Sequence, residues 1–303
     1  MKKEFYSNGK LLITGEYVVL DGAKALALPT KFGQKLEVKQ GNDKLINWKS
    51  YDYDSSIWFE DVLTFSEILK KNNESDNKIR NTLIDILHEA FLLNPDFLKN
   101  SNGFDIETAL TFPKFWGLGT SSTLINNIAQ WLQIDAFTLL KNSFGGSGYD
   151  IACAQNDSAI IYQLINEQPL FEKINFNPAF SEKIFFVYLN KKQSSKSAIA
   201  SYLEKQATIL KTINKINHIT QTVVNAAEPK EFANALLQHE IEMSNILEQQ
   251  TIQEALFPDF KGVIKSLGAW GGDFVMAISK ENPTSYFNAK GYAVVIKYKD
   301  MIL

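Results

Sequence analysis

The sequence predicts a globular chain of mixed α and β elements folded in about two domains. Its 303 residues are about twice the usual domain length. Its 45% hydrophobic and 12% aromatic residues are enough for sizeable packed cores. Hydrophobic spacing alternates along the chain between the two-residue period of strands and the three-to-four-residue period of helices.

Taken in order, the apolar run from Leu11 to Leu20 is broken at Gly15, Asp21-Gly22 marks a turn, and Ala25 to Leu28 runs to Pro29. This reads as strand, turn and strand. Gln34 to Lys39 and Ser56 to Glu60 continue a β-rich beginning. From Ser75 the spacing changes, and Ile79, Leu83, Ile86, Leu87, Ala90 and Phe91 fall on one helical face. Phe104 to Leu110 alternates as a half-buried strand. Pro113 opens a glycine-bearing loop that runs into a helix carrying Leu124, Ile125, Ile128, Ala129 and Leu132. A second glycine cluster, Gly145 to Gly148, follows a short helix and precedes a strand from Ala159 to Ile165. The aperiodic stretch 166–182, with Pro169 and Pro178, divides an N-terminal domain (1–170) from a C-terminal one (183–303). Beyond it the pattern gives a strand from Ile184 to Leu189, helices from Lys196 to Ile216 and Pro229 to Gln249, a third glycine cluster at Gly268 to Gly272, and strands from Phe274 to Ser279 and Tyr292 to Lys297.

Charge and composition exclude several classes. Lys plus Arg number 31 against 34 Asp plus Glu, a net charge of −3 spread along the chain, which argues against a nucleic-acid partner. Cys153 alone forms no internal disulfide, and His88, His218 and His239 match no metal-ligand spacing. The basic N-terminus leads into an apolar stretch broken by Gly15 and Glu16, unlike a signal peptide, and no window approaches the ~18 apolar residues of a membrane span. The expectation is a soluble, cytoplasmic protein without a membrane partner, monomer or homodimer. Arg80 is the sole arginine, so anion handling falls to lysines and backbone N–H groups.

Three segments carry candidate chemistry. In PKFWGLGTSST (113–123), small residues let the backbone approach a ligand while the following helix aims its unpaired N–H groups and positive dipole end at it. That describes a phosphate cradle, or a glycine turn joining strand to helix. In GGSGYDIA, Asp150 stands behind glycines where a carboxylate can orient or deprotonate a hydroxyl, or cap a helix starting near Ile151. GAWGGDF (268–274) again allows close backbone approach, or forms a tight hairpin or helix cap. Lys10 precedes a buried-looking strand, and Glu16 and Tyr17 sit in otherwise apolar sequence. Lys191, Lys192 and Lys196, with Ser194, Ser195 and Ser197, form a cluster suited to an anion or to solvent.

In order and spacing, NGKLLITGEYVVLDG, GLGTSS, GGSGYD and GAWGGD resemble the GHMP small-molecule kinases, named for galactokinase, homoserine kinase, mevalonate kinase and phosphomevalonate kinase; the likeness runs from about residue 8 to 278. GEY and the Asp273 of the third motif are similar to the phosphomevalonate kinase branch, and GSGYD to mevalonate kinases. The sequence departs from the pattern at Asn8, where the family has proline, at Tyr17, where it has histidine, and at Trp270, where it has a glycine. No acid lies between Asp135 and Asp150, where mevalonate kinases carry a magnesium-binding glutamate.

The resemblance implies an α+β, two-domain GHMP kinase fold, with an N-terminal ribosomal-protein-like βαβ domain and a C-terminal ferredoxin-like domain. It implies ATP- and magnesium-dependent phosphoryl transfer to a small anionic metabolite of mevalonate or phosphomevalonate type. Gly117, Leu118, Gly119, Thr120, Ser121 and Ser122 would hold the triphosphate, with Ser121 on the magnesium. Asp150 would orient or deprotonate the acceptor, and Lys10 would keep the acid ionised and counter developing charge. Glu16, Tyr17, Lys192, Lys196, Gly271, Gly272 and Asp273 would bind the acceptor. A decarboxylase acting on mevalonate diphosphate and a non-catalytic nucleotide or metabolite sensor are the alternatives.

Overall fold

A computed structural model of the chain describes residues 2–191, 202 and 209–303. Lys192, Lys196 and Ser194, Ser195 and Ser197 lie outside the described residues. The described chain forms two compact units. Residues 1–9, 32–114 and 118–155 make the first, and residues 10–31, 115–117 and 156–303 the second. The partition is interleaved because the early and middle motifs return to the later sequence, and because β2 (Ala25–Gln40), which pairs with β1 (Lys3–Leu12), contributes its start to one unit and its end to the other.

In the first unit the later half of β2 pairs antiparallel with β5 (Gly103–Leu110), and β5 pairs in parallel with β3 (Leu45–Tyr51), itself antiparallel to β4 (Ile57–Thr64). A parallel pair needs a crossover. Here it contains β4 and the helices α1 (Phe65–Lys70), α2 (Lys78–Leu93) and α3 (Asp96–Lys99). Helix α1 starts at a capping box in which Thr64 and Glu67 satisfy each other's backbone N–H groups. Helix α2 starts at Asn77, whose side chain accepts from Ile79 and Arg80. Helices α4 (Thr120–Leu132), α5 (Ala136–Ser143) and α6 (Tyr149–Ala154) complete the unit. Its core joins Leu83, Ile84 and Leu87 of α2, Ile106 of β5 and Ile125 and Ile128 of α4. Full burial of each such side chain is worth about 1.5–3 kcal/mol. Trp131 meets Phe104 edge-on, with ring centroids 5.0 Å apart.

In the second unit the start of β2 pairs with β6 (Ile160–Ile165), which forms a hairpin with β7 (Gln168–Lys173). The hairpin therefore occupies sequence that reads as aperiodic. Strand β7 lies at the sheet's edge with nearly every residue exposed, so it needs no inside-outside alternation. The second sheet is antiparallel in the order β11 (Val295–Lys297), β8 (Ile184–Tyr188), β10 (Phe274–Ile278), β9 (Val263–Leu267). Strand β10 is buried throughout. Val275 and Ala277 face an aromatic cluster of Phe257 and Phe260, from the segment that follows α9 (Ile252–Leu256), and Phe287 of α10 (Thr284–Ala289). The antiparallel helices α7 (Ile209–Asn225) and α8 (Pro229–Leu247) pack together, α8 against β9, and α11 (Tyr298–Met301) packs on β8.

One early element differs from its sequence reading. The apolar run to Leu20 is not one strand: β1 ends at Leu12, and Val18–Asp21 form a single 3₁₀ turn. Gly15 (φ +87°) and Tyr17 (φ +61°) turn the backbone there. The run is apolar because tertiary contacts bury it.

Candidate active site

In the first unit the glycine-bearing loop ends in a helix start without a side-chain cap. Gly119 is the N-cap of α4 at φ +95°, a left-handed conformation in which glycine is favoured. The N–H groups of the first turn are therefore not spent on a capping side chain. The loop hydroxyls divide. Ser122 is buried and donates to the Gly119 carbonyl at 2.9 Å, and Thr123 is buried and donates to Gln34 Oε1 at 2.7 Å. Ser121 is half-buried, and its hydroxyl bonds to no described residue. Leu118, fully buried, anchors the loop.

Asp150 lies in the first turn of α6, half-buried, and Gly148 (φ +89°) is that helix's N-cap. The capping role left open by the sequence therefore falls to glycine, and the Asp150 carboxylate makes no hydrogen bond or ion pair to a described residue. Helices α4 and α6 pack on each other.

The second unit gathers Lys10, the head of the loop at Gly117, and the third glycine segment. The Lys10 Nζ donates to the Gly117 carbonyl at 3.4 Å. Gly117 has φ +70°, and a Cβ there would overlap the Asp273 carboxyl group; a Cβ on Gly268 would touch the same group at 3.4 Å. The glycines of two separate motifs thus make room for one buried carboxylate. Asp273 itself has φ +53° and is held by its N–H to the Lys191 carbonyl (2.7 Å) and by its carbonyl from the Leu189 N–H (2.8 Å).

Trp270 turns inward. Its ring packs with Tyr17, Tyr202, Met243 and Leu247, its indole N–H donates to the Gln250 carbonyl at 3.2 Å, and its backbone N–H donates to the Tyr17 hydroxyl at 2.7 Å. Tyr17 thus ties the first motif to the third, and Gly271 and Gly272 follow Trp270 in the hairpin loop between β9 and β10.

No protein-family model matches the sequence, and no curated protein sequence matches it. Solved structures do match. Methanococcus jannaschii mevalonate kinase superposes with TM-score 0.72 at 16% identity, over 97% of this chain and 96% of that one. Streptococcus pneumoniae phosphomevalonate kinase, in complex with phosphomevalonate and AMPPNP, does so with TM-score 0.71 at 15% identity, over 97% and 99%. Lactococcus lactis galactokinase, complexed with galactose, gives 0.65 at 13% identity, over 95% and 88%. The chain has the GHMP kinase fold.

Within that fold Glu16, expected at the acceptor, is 4% exposed, and its carboxylate takes a hydrogen bond from Lys265. Glu240 shares the same ammonium at 3.4 Å and also accepts from the Ser266 N–H (3.1 Å) and hydroxyl (2.6 Å). His239 Nε2 accepts the Gly15 N–H at 2.8 Å and lies 3.3 Å from Glu16 Oε2. Two buried carboxylates thus face one ammonium. Burial raises Glu16 from 4.5 to about 7, against the pull of Lys265. His239 is held neutral, well below its usual value, first by burial and then by Lys265.

This makes stability depend on pH. Folded Glu16 keeps a proton that the unfolded chain releases above 4.5, so its contribution is full below 4.5 and is lost as pH rises through about 7. His239 acts oppositely, losing stability as pH falls below 6.5. A Glu16→Gln variant removes only the first effect. Its stability relative to wild type is expected to rise from pH 5 to about pH 7 and then to level off, with a slope of at most about 1.4 kcal/mol per pH unit. A pH-independent difference would mean that Glu16 is ionised throughout.

The sequence gives no hint of Lys265, Glu240 or His239 as partners of the first motif. Their residue types sit among apolar neighbours on α8 and β9, which is the one signal that they are buried and paired.

Proposed function

We propose that this chain is an ATP- and magnesium-dependent kinase that transfers a phosphoryl group to a hydroxyl or phosphate of a small anionic metabolite of mevalonate or phosphomevalonate type. The observation that carries the reading is the uncapped start of α4 behind Gly119, with the Ser121 hydroxyl beside it and no competing side chain on its first N–H groups. Its likeness in fold to the phosphomevalonate kinase solved with AMPPNP supports it.

In this reading Gly117 to Ser122 would cradle the triphosphate through backbone N–H groups, as phosphoryl transfer requires positioning and charge compensation above all. Among the described residues no group of three or more His, Cys, Asp or Glu could hold a metal ion. This fits magnesium, which keeps its waters and arrives on phosphate oxygens with one or two protein ligands. Ser121 would supply such a ligand, and the ion would neutralise the charge of the transferring group. Lys10, fixed at the Gly117 carbonyl, would counter charge at the head of the loop. Asp150, with its carboxylate uncommitted to described residues, would orient and deprotonate the acceptor hydroxyl. Glu16 and Tyr17 would shape the acceptor side through the loops they hold, and Gly271, Gly272 and Asp273 would border it. Lys192 and Lys196 would contribute the positive charge for an anionic acceptor.

Two features favour a non-catalytic sensor, the bulk of Trp270 in a glycine loop and the missing magnesium glutamate; the Trp270 ring is buried among Tyr17, Tyr202, Met243 and Leu247. A thermal-shift titration tests the reading first. Magnesium AMPPNP well above its Kd is expected to stabilise the chain by a few kcal/mol. Mevalonate or phosphomevalonate should add a further shift that galactose does not. No response to magnesium AMPPNP would refute it.

A further inference from the structure

The helix that opens on the phosphate loop carries a polar stripe on its buried side. Thr123, Asn126, Asn127 and Gln130 follow one another at helical spacing, and the first three are at most 1% exposed. Leucine or alanine there would fill the core without any hydrogen-bonding demand, so the stripe is tolerated only through the bonds it makes. Those bonds are complete in direction. Thr123 donates to Gln34 Oε1 (2.7 Å), and the Asn127 amide donates to the Gln34 carbonyl (2.9 Å). Ser7 donates to Asn127 Oδ1 (2.7 Å), and Asn126 Nδ2 donates to the Ser7 hydroxyl (2.8 Å). The last link leaves the helix: Gln155 Nε2 donates to Asn126 Oδ1 at 3.1 Å.

Gln155 is the residue that ends α6, the six-residue helix carrying Asp150. Such a short helix has little rigidity of its own. Its place against α4 is therefore set by its contacts, and the bond from Gln155 to Asn126 is a directional one among them. An apolar contact has no preferred direction, whereas an amide-to-amide bond weakens steeply as its angle departs from linear.

We propose that Asn126 and Gln155 are positioning residues whose amide bond holds the Asp150 helix in register with the helix of the phosphate loop. The inference rests on the kinase reading, in which carboxylate and triphosphate must be held in a fixed relation for transfer. Because Gln155 is exposed, a purely structural role gives it almost nothing to do. The proposal gives it a measurable effect on turnover alone.

The test uses the full chain, with ATP, magnesium and whichever of mevalonate or phosphomevalonate is phosphorylated by wild type. In Gln155→Ala the vacated space opens to water, which can satisfy Asn126 Oδ1. In Asn126→Leu an apolar group of similar size replaces the amide, and Ser7 keeps its bond to Asn127. Each variant is expected to lower kcat about tenfold, the kinetic equivalent of one hydrogen bond's worth of transition-state alignment. KM for ATP should stay within about twofold, and the double variant should be no slower than Asn126→Leu alone. Unchanged kcat in Gln155→Ala would overturn the proposal. So would additive losses, or a fall in kcat matched by a fall in melting temperature and ATP affinity. A wild-type chain that phosphorylates neither acceptor overturns the kinase reading itself, and the inference with it, before any variant is made.

Discussion

Asp150→Asn is expected to lower kcat by about 10²–10⁴ while leaving the affinity for magnesium ATP and the melting temperature nearly unchanged. Asparagine keeps the size and the helix but can neither accept the acceptor's proton nor carry charge. The structure removes the main competing explanation for this acid, since Gly148 and not Asp150 caps α6, so the substitution breaks no cap. Its half-buried carboxylate has no ion pair to a described residue. Rapid-quench kinetics with the phosphorylated acceptor as readout would separate chemistry from binding. Turnover at the wild-type rate would remove Asp150 from the mechanism.

Gly117→Val is expected to lower both stability and nucleotide affinity. At φ +70° a β-branched residue is strained, and its Cβ would meet the Asp273 carboxyl group. That group cannot move aside freely, because the Asp273 backbone is held to Lys191 and Leu189. Strain and overpacking together should cost about 2–4 kcal/mol. ATP should bind at least tenfold more weakly, as the loop head shifts from under Lys10. The assignment of the clash can be isolated. Gly117→Ala should show a smaller loss, and adding Asp273→Gly should restore part of the stability by vacating the space. No recovery in the double variant, by urea unfolding, would mean that backbone strain alone accounts for the loss.

Much of the fold was legible because its signals are local. The three-and-four spacing from Ile79 to Phe91 reads directly as α2, and the alternation from Phe104 to Leu110 as β5. The glycine clusters could be placed at turns and helix starts for the same reason. What failed to show depends on distant sequence. The segment after Leu12 looks like strand because it is apolar, yet its shape answers to Lys265, 249 residues beyond Glu16. Strand β7 hides because an edge strand exposed on both faces has no period. Asn126 and Asn127 are polar residues in a helical segment and carry no local sign of burial. Only their position among buried neighbours on every side of α4 shows that they face inward. Gly117 reads as a place for phosphate to approach the backbone, and the structure adds a second reason for glycine in Asp273.

The central claim is transfer of the γ-phosphoryl group of ATP to a small anionic acceptor, and ³¹P NMR of reaction mixtures tests it most directly. The chain would be incubated with ATP and magnesium, in parallel with mevalonate, phosphomevalonate, mevalonate diphosphate and galactose. The account predicts a new phosphate ester or diphosphate resonance with mevalonate or phosphomevalonate, formed in step with ADP and lost in Asp150→Asn. A new resonance with galactose alone, release of carbon dioxide from mevalonate diphosphate, or ATP left intact with every acceptor would contradict it.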